Sequence, residues 1–430
     1  VPANVVPSDS PAKRPISAGR ASGIVISSII AAASAFLIQV ISARTLSVDD
    51  NQEFLLYWSL LFGVIGIVAG MQNETTRAVT AARSGQSRLA PGRLGPRVLS
   101  GGLFWAGLIA IGILASSVLW APRLVPSTSP VIVIIAACAV VLYGCHATLA
   151  GALAGHREWG LFAWLMGGEA ASRLFLAVLA GVFLAGSLLS MELAATASVL
   201  VWALFVLVST PSRTAIGARA DVPMRRLLSN CGLAIASSAA SAALITGFPA
   251  LLKLVSGHQD AAVMASLILA ISLTRSPIMI PLQAFQGVAI AAFTESGASS
   301  PKALIKPMLL LLAIGAGGAL LAWALGPWLM RLLFGDAYQL AGIVFAGLTI
   351  AAVSLAWLTL TGTAAIAASA HRSYTTGWVF AALVTLGLLF LPLGIEMRAV
   401  VALFFGPLSG AAIHLNAIAR NANSRAFTER

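Results

Sequence analysis

Twelve apolar runs of about twenty residues or more fill most of this 430-residue chain, and little of it lies between them. They fall at 22–43, 54–78, 98–120, 130–153, 160–184, 190–209, 227–251, 262–293, 305–330, 340–367, 376–394 and 399–419. Inside a bilayer there is no water to pair with backbone N–H and C=O groups, so a spanning segment must be a helix or part of a closed barrel. Unbroken runs of this length predict helices. Only 9% of the residues are charged, against about 25% in soluble proteins, which excludes an ordinary soluble domain. The expected fold is an all-α integral membrane protein of about 12 transmembrane helices.

The charges that remain are placed unevenly. The formal charge is +12, which in a soluble chain would suggest nucleic acid. Here the arginines sit in short loops, so no nucleic-acid partner is expected and topology accounts for them. If the N-terminus is cytoplasmic, 18 of the 26 Lys and Arg fall in inside segments and 5 in outside loops. Basic residues favour the cytoplasmic side. A multi-pass protein of the bacterial cytoplasmic membrane with both termini cytoplasmic is the expectation, and the Ala-rich composition suggests a bacterial source. Residues 1–20, polar and rich in Pro and Ser, read as a disordered cytoplasmic tail, and 421–430 as a second tail. The loop 210–226, with four arginines, reads as a cytoplasmic linker between an N-lobe (21–209) and a C-lobe (227–420) of six spans each. Asp49, Asp50 and Glu53 read as a short outside loop.

Polar groups within the apolar runs are costly and therefore informative. Arg275 sits inside the eighth run, followed by Pro277 and Pro281 and then by Gln283 and Gln286. An arginine at the centre of a span costs about 2.5–3.5 kcal/mol on insertion scales, so it must face a polar cavity or a partner. The prolines remove backbone donors and bend the helix, marking a hinge. The structural alternative is an arginine tied to a carboxylate on a neighbouring helix. Near the inner end of the second run, Asn73, Glu74 and Arg77 form a polar cluster in which Glu74 and Arg77 share a helix face. They either line the mouth of a cavity or anchor a helix end at the headgroups. Glu169 and Arg173, four residues apart in the fifth run, read as an intramembrane ion pair, either structural or part of an energy-coupling step. His146 reads as a structural hydrogen-bonding group, with proton carriage the alternative. Cys138, Cys145 and Cys231 have neither metal-site spacing nor a disulfide pattern, and no cofactor or metal is expected.

Several features together resemble the multidrug/oligosaccharidyl-lipid/polysaccharide exporter superfamily, and within it the polysaccharide and lipid-linked-saccharide flippases. They are the six-plus-six layout, Leu273-Thr274-Arg275-Ser276-Pro277 in the eighth span, the later Pro281 with Gln286-Gly287, and Leu333-Phe334-Gly335 with Tyr338 closing the ninth. The resemblance implies two six-helix lobes around a central cavity lined by the first, second, seventh and eighth helices, working by alternating access. It also implies that Arg275 and Arg77 contact the pyrophosphate of a polyprenyl carrier. The first span carries no arginine, unlike those of lipid II flippases, which favours a different glycolipid. The function expected is translocation of a polyprenyl-(pyro)phosphate-linked saccharide for cell-envelope polysaccharide synthesis. Its partners would be the glycolipid, membrane lipids, and envelope glycan polymerases or glycosyltransferases. A cation-coupled multidrug exporter of the same superfamily, with Glu74 and Glu169 as acidic groups, is the alternative. A membrane glycosyltransferase or polymerase is less favoured, because the outside loops are short; the protein is expected not to be an enzyme.

Overall fold

The computed structural model describes residues 18–89, 93–183, 186–257, 259–295, 302–368 and 370–428; the side chains of 18–21, 283–295, 302–303, 371 and 421–428 lie outside that description. Fifteen α-helices follow in order among these residues. They are α1 (Ala18–Thr45), α2 (Val48–Arg83), α3 (Val98–Leu124), α4 (Val131–Gly155), α5 (Trp159–Val178), α6 (Leu188–Ala197), α7 (Val201–Val208), α8 (Thr210–Ile216), α9 (Met224–Ile245), α10 (Phe248–Val255), α11 (Ala261–Glu295), α12 (Lys302–Phe334), α13 (Gly342–Ala367), α14 (His371–Leu388) and α15 (Ile395–Thr428). Eleven spans among the described residues are long and apolar enough to cross a membrane. The twelfth run expected from sequence is α14, an 18-residue helix. The fold is all-α and membrane-spanning.

The departures from the expected boundaries have local causes. Asp49, Asp50 and Glu53 are not in a loop. The Ser47 hydroxyl accepts a hydrogen bond from the Asp50 N–H at 3.1 Å and caps α2, so the helix begins at Val48, with the two aspartates in its first turn. A side-chain acceptor and negative charge at a helix N-terminus satisfy otherwise unpaired N–H groups. The run 190–209 is two helices, α6 and α7, joined by a tighter turn at Ser198–Leu200. The run 227–251 is also divided: α9 stops at Ile245, and α10 restarts after Gly247 with Pro249 in its first turn. Proline there gives up an N–H that has no helical partner anyway. By contrast α11 runs as one helix through both Pro277 and Pro281. The first α1 turn starts at Ala18, inside the segment read as a tail, and residues 1–17 of that tail lie outside the described residues.

The same packing recurs in each half of the chain. The fourth span, α4, packs on α2 and α3, and its counterpart α13 packs on α11 and α12. α5 lies against α1, and its counterpart α14 touches α9. Between the halves the principal contact is α2 against α9. Glycines make this contact close: a Cβ placed on Gly70 would lie 2.5 Å from the Ala234 carbonyl oxygen, and one on Gly66 2.7 Å from the Ala242 Cβ. Small residues let membrane helices gain van der Waals contact where the hydrophobic effect no longer drives association.

The segment between α8 and α9 is fastened to the loop before α3. Val98 N–H donates to Ala218 O at 3.0 Å, Ala220 N–H to Pro96 O at 2.9 Å, and Arg88 N–H to Asp221 O at 2.9 Å. The Arg219 guanidinium adds a bond to Gly95 O at 2.8 Å. This strap and the basic loops share one end of the bundle, the basic end, opposite the far end.

Candidate functional site

Three polar centres within the apolar bundle hold the described site residues expected from the sequence. The first lies at the basic end, where α2 meets α9. Arg77 donates to both oxygens of Glu74, Nε to Oε2 at 2.8 Å and Nη2 to Oε1 at 2.7 Å. It also donates to both oxygens of Asp221, at 3.1 and 3.0 Å. Asn230 on α9 adds a bond from Nδ2 to Glu74 Oε1 at 3.0 Å. Glu74 and Asp221 are buried, while the Arg77 side chain is 43% exposed. Planar guanidinium against planar carboxylate, in two directions, is the strongest geometry available to such groups. Arg77, expected to contact an anionic substrate, here donates four hydrogen bonds to two carboxylates of the chain. Asn73, beside them, is exposed.

The second centre is a cavity of about 370 Å³ enclosed by α1, α2, α4 and α5. Ser27, Gln72, Tyr143, His146, Glu169 and Arg173 supply its polar lining, with Phe62 and Met166 among the apolar groups. The pair read from its four-residue spacing forms: Arg173 Nη2 donates to Glu169 Oε1. The same carboxylate oxygen accepts from Ser198 Oγ at 2.9 Å and Tyr143 Oη at 3.2 Å. Arg173 Nη2 reaches the Tyr143 oxygen at 2.9 Å, Nε reaches the Ala195 carbonyl at 3.2 Å, and the guanidinium lies 4.8 Å from the centre of the Phe62 ring. The turn at Ser198–Leu200 explains the Ala195 contact. Breaking α6 there leaves its last carbonyls without helical donors, and Arg173 meets one of them. Only 5% of Arg173 and 7% of Glu169 is exposed, so this is a charge-neutral buried pair. His146 is buried against the same cavity, with no partner for Nε2 among the described residues.

The third centre is Arg275. Its Nη1 donates to Ile245 O at 2.6 Å and to Leu244 O at 3.2 Å, the terminal carbonyls of α9. The break between α9 and α10 therefore creates the acceptors that an arginine on α11 fills. No carboxylate among the described residues lies within ion-pair distance of it, and it is half-buried. Both bonds use one nitrogen, which leaves the remaining guanidinium N–H groups for another acceptor. Pro277 and Pro281 follow on the same helix, Pro277 and Pro281 both exposed. The side chains of Gln283 and Gln286 lie outside the described residues.

Sequence reasoning missed three groups. Asp221 is 144 positions from Arg77 and reaches it only because the strap folds back. Tyr143, shared by Glu169 and Arg173, had no signal beyond being a tyrosine in an apolar run. Glu192, third in the run 190–209, is fully buried on α6. Its signal was being the single acidic residue in the run 190–209.

No family model matches the chain. It is 38% identical over 406 residues to the uncharacterized protein Rv1510 of Mycobacterium tuberculosis, covering 94% of this chain and 93% of the relative. It is 36% identical over 414 residues to the uncharacterized protein Mb3654 of Mycobacterium bovis, with the same coverage. Among solved structures it resembles the inward-facing conformation of a multidrug resistance MATE family transporter of the MOP superfamily. That match has a TM-score of 0.70 and 14% identity, over 96% of this chain and 100% of the other. It also resembles a MOP superfamily transporter from Pyrococcus furiosus described as having a binding pocket of reverse polarity, with a TM-score of 0.65, 15% identity and coverage of 94% and 95%. The chain belongs to the family of these mycobacterial proteins, and it carries the fold of the MATE transporters of the MOP superfamily.

Proposed function

We propose that the protein moves an anionic glycolipid, a polyprenyl-(pyro)phosphate-linked saccharide, across the membrane by alternating access between its two halves. The observation that carries this reading is Arg275. It is a half-buried cation held by helix carbonyls, with no carboxylate in ion-pair range among the described residues. Guanidinium pairs with phosphate oxygens through two parallel donors, and such bonds strengthen away from bulk water. The two acidic groups expected of a multidrug exporter, Glu74 and Glu169, do not offset it. Glu169 is already neutralised by Arg173, and Glu74 by Arg77. The reverse polarity described for the binding pocket of the Pyrococcus furiosus transporter, taken there to suggest a different function, means that pockets of this fold differ in polarity.

The test is transport of a fluorescent short-chain polyprenyl-pyrophosphate disaccharide in proteoliposomes. Arg275→Ala is expected to lower the initial rate by at least about tenfold, the equivalent of one lost charge-assisted bond. Because Arg275 also caps α9, the unfolding midpoint must be recorded alongside. Arg275→Lys retains the charge and a donor for the carbonyls, and should fold like the wild type with a smaller rate loss. Equal transport by folded Arg275→Ala and wild type would remove Arg275 from the substrate path and this reading with it.

A further inference from the structure

At the far end of the first half, two carboxylates converge on one hydroxyl. Thr128 Oγ1 lies 3.3 Å from Glu53 Oε1 and 3.3 Å from Glu192 Oε1, so the two acidic oxygens are no more than twice that distance apart. Thr128 has one hydroxyl hydrogen and can donate to one of them at a time. Glu53 is otherwise well held: Ser127 N–H donates to it at 2.9 Å and Thr128 N–H at 3.3 Å. Glu192 is not. It is fully buried, and its Oε2 has no hydrogen-bond partner among the described residues.

The surrounding charges do not neutralise the pair. α2 contributes Asp49, Asp50 and Glu53 on this side, with the Tyr57 hydroxyl engaged by Thr196 of α6 at 2.5 Å. Arg123 of α3 and Lys253 of α10 share with Glu53 the lining of a cavity of about 610 Å³ at the far end. Neither comes within ion-pair distance of Glu53 or Glu192. Burial also holds the Lys253 ammonium below the usual lysine range. Two ionised carboxylates sharing one hydroxyl in an apolar bundle would each be buried without a counter-charge, which favours holding a proton on one of them.

We infer that Glu192, Thr128 and Glu53 form a proton-binding site, loaded from the far-end cavity and holding one proton on the pair. A proton from cavity water goes to Glu53. Glu53 passes it to the Thr128 oxygen as the Thr128 hydrogen moves to Glu192, so one proton enters and one arrives. The inference stands whatever the cargo is. α6 carries Glu192 and also the Ala195 carbonyl and the Ser198 next to it in the chain, which hold Arg173 and Glu169. Proton occupancy is thereby mechanically connected to the buried ion pair.

The experiment is infrared spectroscopy of the full chain in lipid vesicles at neutral pH. Wild type should show a protonated-carboxyl C=O band that Glu192→Gln loses. On transfer to D2O the band should shift promptly in wild type, and about tenfold or more slowly in Thr128→Val, where the relay oxygen is gone. If Glu192→Gln does not fold, Glu192→Asp supplies the reading as a displaced band. A spectrum with no such band, or one that neither Glu192 variant changes, overturns the site. Unchanged exchange in Thr128→Val overturns it as well, because it leaves the pair without its route to the cavity.

Discussion

Replacing Arg173 with methionine should destabilise the protein by about 3–5 kcal/mol, the cost of leaving a buried carboxylate without its counter-charge. Glu169 would keep its bonds from Ser198 and Tyr143 but lose the guanidinium that now also satisfies Tyr143 and the Ala195 carbonyl. Removing both charges together should be far milder. A Glu169→Leu/Arg173→Met double variant replaces an ion pair by apolar volume, which in buried sites is often neutral or stabilising by about 1–4 kcal/mol. Unfolding midpoints of the two single variants and the double variant, measured in one detergent, give the coupling directly. A single variant no worse than the double would mean that water in the adjoining cavity solvates Glu169 well enough to stand in for Arg173.

The second large effect is expected at the contact between the halves. Gly70→Leu would drive a side chain into the backbone of α9, where the Ala234 carbonyl and the Ile235 nitrogen lie 2.5 and 2.6 Å from the position of its first carbon. Backbone cannot rotate aside as a side chain can. The helices must separate along their length, losing more than the about 1–3 kcal/mol typical of overpacking. Gly107 on α3 is the control, with nothing within 4 Å of an added Cβ, and Gly107→Leu should leave the unfolding midpoint unchanged. Size-exclusion profile and midpoint read both variants. A Gly70→Leu protein as stable as Gly107→Leu would show that α2 and α9 are not obliged to pack this closely.

These expectations rest on features of unequal visibility in the sequence. The helices were legible, because a bilayer-length apolar run has few other fates. Their interruptions were not: Thr246–Gly247 and Ser198–Leu200 sit inside runs whose hydropathy barely changes. The pair Glu169–Arg173 was legible because its partners are four apart on one helix. Asp221 was not, because its approach to Arg77 depends on how a distant strap folds. Arg275 is the most instructive. The structural alternative to a substrate role was a carboxylate on another helix, and the partners are instead the carbonyls of Leu244 and Ile245. Backbone oxygens have no letter of their own, so a search over side chains passes over them. Arg44, which bonds the carbonyls of Arg331, Leu332 and Leu333 at the end of α12, repeats the pattern, and so does Arg213 at Leu207 O at the end of α7. Arg77 and Arg173 pair with carboxylates, whereas Arg44, Arg213 and Arg275 each finish a helix.

The strap between α8 and α9 is a splint and not a tether. A covalent crossing zipped by backbone bonds to the first half has no slack to give, and α9, which follows it directly, lies flat along α2. Were the halves to swing, α9 would travel with the first, and the give would have to come at its upper end, where the chain pauses at Thr246 and Gly247. The guanidinium of Arg275 grips that joint from the other side, so whatever loosens its hold would also free the pivot.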